Sequence, residues 1–328
     1  MKTTCLVNNF NYSNFVVEAV NSALNQTVSF DEIIIVDDGS TDQSVQILKE
    51  KFLGHDKIKL ILKEKNEGQL SCFNEGYLAS TGDIIFFLDA DDIYKDTYLE
   101  EALDFYEKNK ECDFLFCPPE IFGNSKGIFL PSQSRLVKKI KSKIVENVSE
   151  FYDDDRDLGY SVILTLYHRE WIGSATSTLS MRRSILEKIL PIPYLKDWWM
   201  DADNCLIYGS SLVEARKFYM AKPLVKYRFH GNNYYMGNSK FNESYIYKKN
   251  LKINRLFDLI SKKMDYHQDL SDLAHIEFRT IPNPCSKELF SYINIIALSS
   301  MLLPKKLVRI LFVIKYFFSS IKSTENFT

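Results

Sequence analysis

In the stretch IIFFLDADDIYKD, five large apolar residues, Ile84 to Leu88, run directly into Asp89, Asp91 and Asp92. Carboxylates this close repel one another and are costly to desolvate unless a cation or hydrogen-bond donors compensate them. Oxygen ligands of this kind suit a hard divalent cation such as Mg2+ or Mn2+. Asp92 can also serve as the cap of a following helix. A second acidic pair, Asp201 and Asp203 in WWMDADNCLIYG, stands beside Trp198 and Trp199. Apolar surroundings raise a carboxylate's pKa toward the range where it can take a proton from a hydroxyl group. Two residues apart, the pair faces opposite sides of a strand or diverges on a helix, so one of the two reaches a shared site. In VDDGSTD, Asp37 and Asp38 end an apolar run, Gly39 relieves the turn, and Ser40 or Thr41 can cap the next helix.

The elements that must carry these residues are legible. Residues 4–7, 32–36, 58–62 and 84–88 are short β-branched or aromatic runs suited to buried strands. Helical spacing separates them, with Phe15, Ala19 and Ala23 beside Val16, Val20 and Leu24 in the first segment and Val45, Leu48 and Phe52 in the second. Strand alternating with helix predicts an α/β fold with a mostly parallel sheet flanked by helices. Ligands of such sheets collect at the carboxyl ends of the strands. The polar sets 8–11, 37–42, 66–69 and 89–92 all follow strands and are expected at one rim.

The chain has 328 residues, 45% apolar and 26% charged, with a formal charge of −2, which gives no bulk attraction to nucleic acid. Its six cysteines are scattered, without CxxC pairs, and are expected to be reduced thiols. The N-terminus lacks a signal-peptide pattern, so the expected location is cytoplasmic. Residues 111 to about 160 are irregular, and KKIKSK and DDDRD are expected to be solvated surface. Strand and helix character returns at Leu179 to Ile189, and beyond Tyr234 the chain is helix-like.

Taken together, CLVNNFNYSNFVVEAVNSALNQTV, EIIIVDDGSTD, NEGQLSCFNEGYLASTGDIIFFLDADD and, more loosely, KYRFHGNN resemble the family 2 glycosyltransferases over about the first 235 residues. The resemblance implies a GT-A type, Rossmann-like fold. It implies a nucleotide-sugar donor (UDP or dTDP), an inverting single displacement, and a hydroxyl acceptor on a glycan or glycolipid of bacterial-type surface polysaccharide. It makes Asp91 the metal ligand for Mn2+ or Mg2+, with Asp89 on the metal or the donor ribose and His230 near the metal or the diphosphate. Asp38 is expected to accept from the imide of the base, Phe10 and Asn11 to line the base pocket, and Gly68, Gln69 and Asn74 to border the nucleotide. Arg228 is expected at the diphosphate. The family's base precedes a Leu by three residues, which points to Asp203 before Leu206, with Asp201 as the alternative. GSATSTLSMRRS resembles the acceptor-side loop, where Arg182 and Arg183 are expected to be structural. Two departures from the family pattern are Phe73 in place of Arg and Asn8 in place of Pro.

These features divide the chain into a donor half, 1–110, an acceptor half, 111–235, and a helical extension, 236–328. In the extension, Lys305, Lys306, Arg309, Lys315 and Lys322 are interspersed with Leu307, Ile310, Leu311, Phe312, Ile314, Phe317 and Phe318. No apolar run reaches the roughly 20 residues that span a bilayer. The mixture is expected to lie on an anionic membrane face, or to pack on the protein or on a second copy in a homo-oligomer. Two rival readings are a phosphotransferase using the DADD motif and a sugar-nucleotide-binding scaffold without turnover.

Overall fold

The computed structural model describes residues 1–123, 152–230, 243–266 and 269–325, and their side chains except those of 243–247 and 321–325. KKIKSK and the Gly231–Asn233 end of KYRFHGNN lie outside the described residues. The four expected strands form as β1 (Thr3–Asn9), β2 (Glu32–Asp37), β3 (Ile58–Leu62) and β4 (Ile84–Asp89). They pair in parallel in the order β3, β2, β1, β4. β1, β2 and β4 are buried almost throughout because both faces of the sheet are covered, whereas β3, expected to be buried, is a partly exposed edge strand with Lys59 turned to solvent. Ile85 and Phe87 enter one core cluster, and Ile84, Phe86 and Leu88 enter the other.

Between these strands lie α1 (Val16–Leu24), α2 (Ser44–Phe52) and α3 (Gln69–Ala79). On α1 the buried residues Val16, Ala19, Val20 and Ala23 fall on one helical stripe, so the spacing that predicted the helix is the spacing that packs it. Short strands β5 (Ile93–Tyr94), β6 (Phe114–Phe116), β7 (Pro119–Phe122) and β8 (Arg156–Asp157) follow, with α4 (Tyr98–Lys108) after β5. Next come α5 (Val162–His168), a single 3-10 turn at Thr176–Thr178, β9 (Leu179–Arg182), α6 (Arg183–Ile189), α7 (Asp203–Leu212), β10 (Lys217–Tyr219) and β11 (Val225–Arg228). Strands β9, β6, β10 and β8 extend the main sheet to eight strands beyond β4, and β5, β11 and β7 form a small separate sheet. The result is the expected α/β architecture. β9 runs antiparallel to β4 and β6, so the sheet is mostly but not wholly parallel.

The irregular 111–160 region holds more order than its composition suggests. Arg156 pairs with Glu288 at 2.7 Å, and Asp157 receives the Arg216 guanidinium at 2.6 Å, so two members of DDDRD are half-buried bridges rather than solvated charges. All six cysteines are free thiols, and five of them are buried. Arg182 and Arg183 donate to the carbonyls of Cys112 and Gly82, both at 2.7 Å, and are structural as expected.

The C-terminal part contains α8 (Glu243–Lys263), α9 (Ala274–Phe278), α10 (Ser286–Leu298) and α11 (Leu303–Glu325). Ile253, Leu256, Phe257 and Ile260 of α8 join the cluster that holds Leu206 and Ile207 of α7. Phe278, Tyr292, Ile296, Val313 and Phe317 enclose Ile163 and Leu164 of α5 in a third cluster. Within it the buried Glu277 carboxylate accepts the Ile163 and Leu164 N–H groups at 3.0 and 3.1 Å and the Tyr292 hydroxyl at 2.8 Å. Glu277→Ala leaves these donors unpaired in a dry setting. It is expected to lower stability by about 3 kcal/mol, read as a reduced urea midpoint with an unchanged slope.

In the tail, Lys305 and Arg309 both turn onto Asp272, at 2.8 and 3.0 Å, and Lys306 donates to the Ala297 carbonyl. The carboxylate neutralises cations that the sequence leaves apparently free. The tail's exposed large apolar residues are Leu302, Leu303, Leu307, Val308, Leu311, Phe312 and Phe318, and Lys305, Lys315 and Ser319 are exposed among them. No helix among the described residues is long and apolar enough to cross a membrane.

Candidate active site

The strand order turns back between β1 and β4, the position where α/β sheets open a crevice for ligands. There the last residues of three strands stand side by side in register, Asn8 opposite Asp89 and Asn9 opposite Asp37. Asn8, the departure from the family's Pro, donates to Asp89 at 2.8 Å. Gln69 donates to the same carboxylate oxygen at 3.1 Å. Phe73, the other departure, is fully buried and meets Phe87 edge to face at 5.2 Å.

Carboxylate oxygens of Asp89, Asp91 and Asp92 lie within 4.8 Å of one another. Burial foremost, then the Asp91 charge, pushes Asp89 up to about 7 against the donors from Asn8, Gln69 and Thr176. Asp92 is held well above the carboxylate range by burial and by both neighbours. Asp92 does not cap a helix. It accepts the Ser177 hydroxyl at 2.6 Å and the Arg228 N–H at 2.8 Å, which fixes the turn against β11 and the 176–178 segment. Asp89, Asp91 and Asp92 together form a cluster that could hold a metal ion. His230 Nε2 lies 3.0 Å from Asp91 Oδ2, its ring stacked on Phe15 at 5.3 Å. Tyr12 also bonds Asp91, and burial followed by the Asp91, Asp89 and Asp92 charges raises its phenol. Asn8 Oδ1, beside Asp89, is buried without a partner among the described residues. Hard oxygen donors, crowded charge and an unmatched acceptor fit a divalent cation of the Mg2+ or Mn2+ type.

Arg228, expected at the diphosphate, is held from the protein side. Its guanidinium lies between Phe15 and Phe122 at 4.7 and 4.5 Å, donates to the Asp91 carbonyl at 2.7 Å and pairs with Glu18. Planar, weakly hydrated guanidinium suits such a stack, and here it braces the acidic turn.

At the β2 end, Asp38 is buried and accepts from Lys63 Nζ at 2.6 Å and from the N–H groups of Glu67 and Gly68 at 3.0 and 2.7 Å. Asp37 accepts from Asn9 and from both donors of Ser40. Asn11 adopts a left-handed φ of 59° and offers its side-chain oxygen to the Thr41 N–H at 2.7 Å. Phe10 is exposed beside it. Asn74 does not turn to the nucleotide side with its amide, because both ends clamp the Ile192 peptide at 2.9 and 3.0 Å.

Gly68 and Gln69 join this rim to the second acidic motif. Gly68 has φ 92°, and a Cβ there would meet the Trp199 backbone at 2.7 Å. The close approach it allows is therefore to the protein's own loop. Gln69 donates its N–H to Trp199 O at 2.9 Å, accepts the Ala202 N–H at 3.0 Å and donates to Asp89. Asp203 begins α7, and Asp201 precedes it in a left-handed turn, φ 58°. The Asp201 side chain is 3% exposed and pairs with Lys252 at 2.6 Å. Asp203 accepts the Asn204 N–H at 2.9 Å. It is pushed up to about 7 by burial, then by the charges of Asp201 and Asp89, while Asn204 and Lys249 oppose the shift. Trp198 is core, whereas Trp199 is 45% exposed.

Tyr12, Lys63, Thr176 and Ser177 escaped the sequence reading. Each is a common residue whose role depends on partners far along the chain. Only the placement of Tyr12 beside Asn11, and of Thr176 and Ser177 in the loop before β9, could have pointed to them.

A doubly covered sheet that delivers an Asp-x-Asp turn to its switch point, opposite an acidic helix start, defines a glycosyltransferase of the GT-A type. The chain belongs to glycosyl transferase family 2, whose family model matches residues 4–190, more than half of its length. An uncharacterized glycosyltransferase of Nostoc sp. is 35% identical over 237 residues, 72% of this chain and 67% of its own. Chondroitin synthase of Escherichia coli is 38% identical over 100 residues, 30% of this chain and 14% of that larger protein. Crystal structures of S. aureus TarS 1-349 in complex with UDP and with UDP-GlcNAc share the fold, with TM-scores of 0.51 and 0.53 and identities of 18% and 17%. They cover 100% and 99% of this chain and 92% of theirs. The family match spans both VDDGSTD and DADD, so the phosphotransferase alternative gives way.

Proposed function

We propose that the chain transfers a sugar, with inversion, from a UDP- or dTDP-sugar to a hydroxyl of a glycan or lipid-linked acceptor in surface-polysaccharide synthesis. The observation that carries this reading is Gln69, which bonds Asp89 through one end of its amide and the Ala202 N–H through the other, and so ties together two acidic motifs distant in sequence. The TarS complexes with UDP and UDP-GlcNAc support the donor class, and the similarity to chondroitin synthase supports the polysaccharide setting.

Asp91 and Asp89, with His230 beside Asp91, hold Mn2+ or Mg2+, which when bound offsets the charge that builds on the diphosphate leaving group. Phe10 and Asn11 border the base at the β1 end. Asp38 keeps acceptor capacity beyond its internal donors for an imide N–H, while Asn74 and Arg228 act as braces. Asp203 takes the acceptor's hydroxyl proton as its oxygen bonds the anomeric carbon and the bond to the diphosphate breaks. A carboxylate poised near 7 suits this work, whereas Asp201 is neutralised by Lys252. A thermal-shift screen of UDP- and dTDP-sugars with and without Mn2+, followed by nucleotide-release assays, tests the reading. Stabilisation that requires both donor and metal supports it. Binding without turnover would favour the scaffold.

The exposed face of α11 supports peripheral contact with the inner membrane surface, where a lipid-linked acceptor resides. Leu307→Glu/Leu311→Glu is expected to reduce sedimentation with phosphatidylglycerol vesicles several-fold and to leave the melting temperature in place. Sedimentation equal to that of the parent chain rules this contact out.

A further inference from the structure

The loop that leads into Asp203 is pinned from two sides. Gln69 holds it from the donor side, and α8 holds it from the other. Lys252 Nζ lies 2.6 Å from Asp201 Oδ2 and 4.5 Å over the ring of the buried Trp198. One helical turn on, Arg255 pairs with Asp197 at 2.5 Å. The latter pair is half-exposed and contributes little, but the former is almost wholly buried, where removal of one partner leaves an uncompensated charge. Asp201 also holds a left-handed φ of 58°, a conformation that costs a non-glycine residue of order 1–3 kcal/mol and persists only where its surroundings over-determine it. The surroundings here are the ammonium and the aromatic face. Ile253, Leu256 and Phe257 fix α8 in the core shared with α7, so the ammonium is not free to drift.

We propose that Lys252 is a positioning residue for the transfer reaction: it takes up the Asp201 charge and fixes the turn, which leaves the Asp203 carboxylate to serve the acceptor. This rests on the assignment of Asp203 as the base. The charged groups around Asp203 are Asp201 on its own loop, Asp89 at the end of β4, and Lys249 and Lys252 on α8. Without Lys252, the Asp201 charge bears more fully on Asp203, which keeps its proton to higher pH.

The test uses the full chain with Mn2+ and the nucleotide sugar selected by the thermal-shift screen, following nucleotide release against pH. Lys252→Met is expected to lower kcat roughly tenfold or more with donor KM nearly unchanged, and to move the acidic limb of the profile to higher pH. Asp201→Asn removes the like charge and moves that limb to lower pH. Lys252→Arg, which keeps the cation, is expected to restore most of the rate. Retained donor binding certifies that each variant is folded. Should Lys252→Met misfold, Lys252→Gln replaces it. Loss of rate with an unmoved limb marks a structural role and overturns the proposal, as does a limb that moves the same way in Lys252→Met and Asp201→Asn. Wild-type turnover in Asp203→Asn overturns the base assignment itself, whereas an inactive Asp203→Asn beside an unmoved Lys252→Met profile overturns only the role of Lys252.

Discussion

Asp91→Ala is expected to abolish turnover, by about a thousandfold or more in kcat/KM, and to remove the Mn2+ dependence of donor binding. Asp91 stands at the turn after β4, bonded by His230 and Tyr12 through its carboxylate and by Arg228 through its carbonyl. Asp92 is already spent on Ser177 and the Arg228 N–H, so it cannot replace the lost ligand without giving up donors in a buried site. Charge stabilisation at a leaving diphosphate amounts to several kcal/mol, and each 1.4 kcal/mol or so is tenfold in rate. Calorimetric titration of the donor with and without Mn2+ gives the readout. A variant that keeps metal-dependent binding and near-normal rate removes Asp91 from its role.

Asp203→Asn is expected to reduce kcat by roughly 10²–10⁴ and to leave the donor dissociation constant nearly unchanged. The amide preserves shape but accepts no proton at working pH. The parent chain carries a further signature. Burial and the neighbouring Asp201 and Asp89 put Asp203 near 7, so the base is charged above that value and becomes protonated below it. Activity therefore falls as pH drops through an acidic limb that Asp203→Asn abolishes. A cation held by Asp89 and Asp91 would offset part of the Asp89 charge, so the limb in saturating Mn2+ is expected to lie lower than in its absence. Unchanged kcat in Asp203→Asn, with Asp201→Asn inactive, reverses the assignment of the two carboxylates.

The sheet and its acidic rim were legible because their causes are local. A strand covered on both faces must be apolar at every position, so Ile84 to Leu88 announces itself, and the first polar residues after it must lie at the strand's end. Helix α1 was equally plain, since its buried stripe repeats within one segment. The second acidic motif could be found, and the resemblance favoured Asp203 over Asp201, but the physical difference between them was not legible, because the cation that pairs with Asp201 is supplied by a helix some fifty residues further on. Likewise Asn74 is an inconspicuous helix residue until the Ile192 peptide arrives, and the basic tail reads as free charge until Asp272 meets it.

The sequence by itself determined the family, the order of strands and helices, and which carboxylates gather at the rim, since these follow from patterns within a few residues of one another. Only the tertiary structure decided which polar groups are already satisfied: Arg228 became a brace, Gln69 a strap, Lys252 a partner for Asp201, and Asp272 a partner for Lys305 and Arg309. The physical reason is that a side chain's protonation and availability depend on what lies within a few ångströms of it, and those neighbours come from chain segments that no local pattern connects.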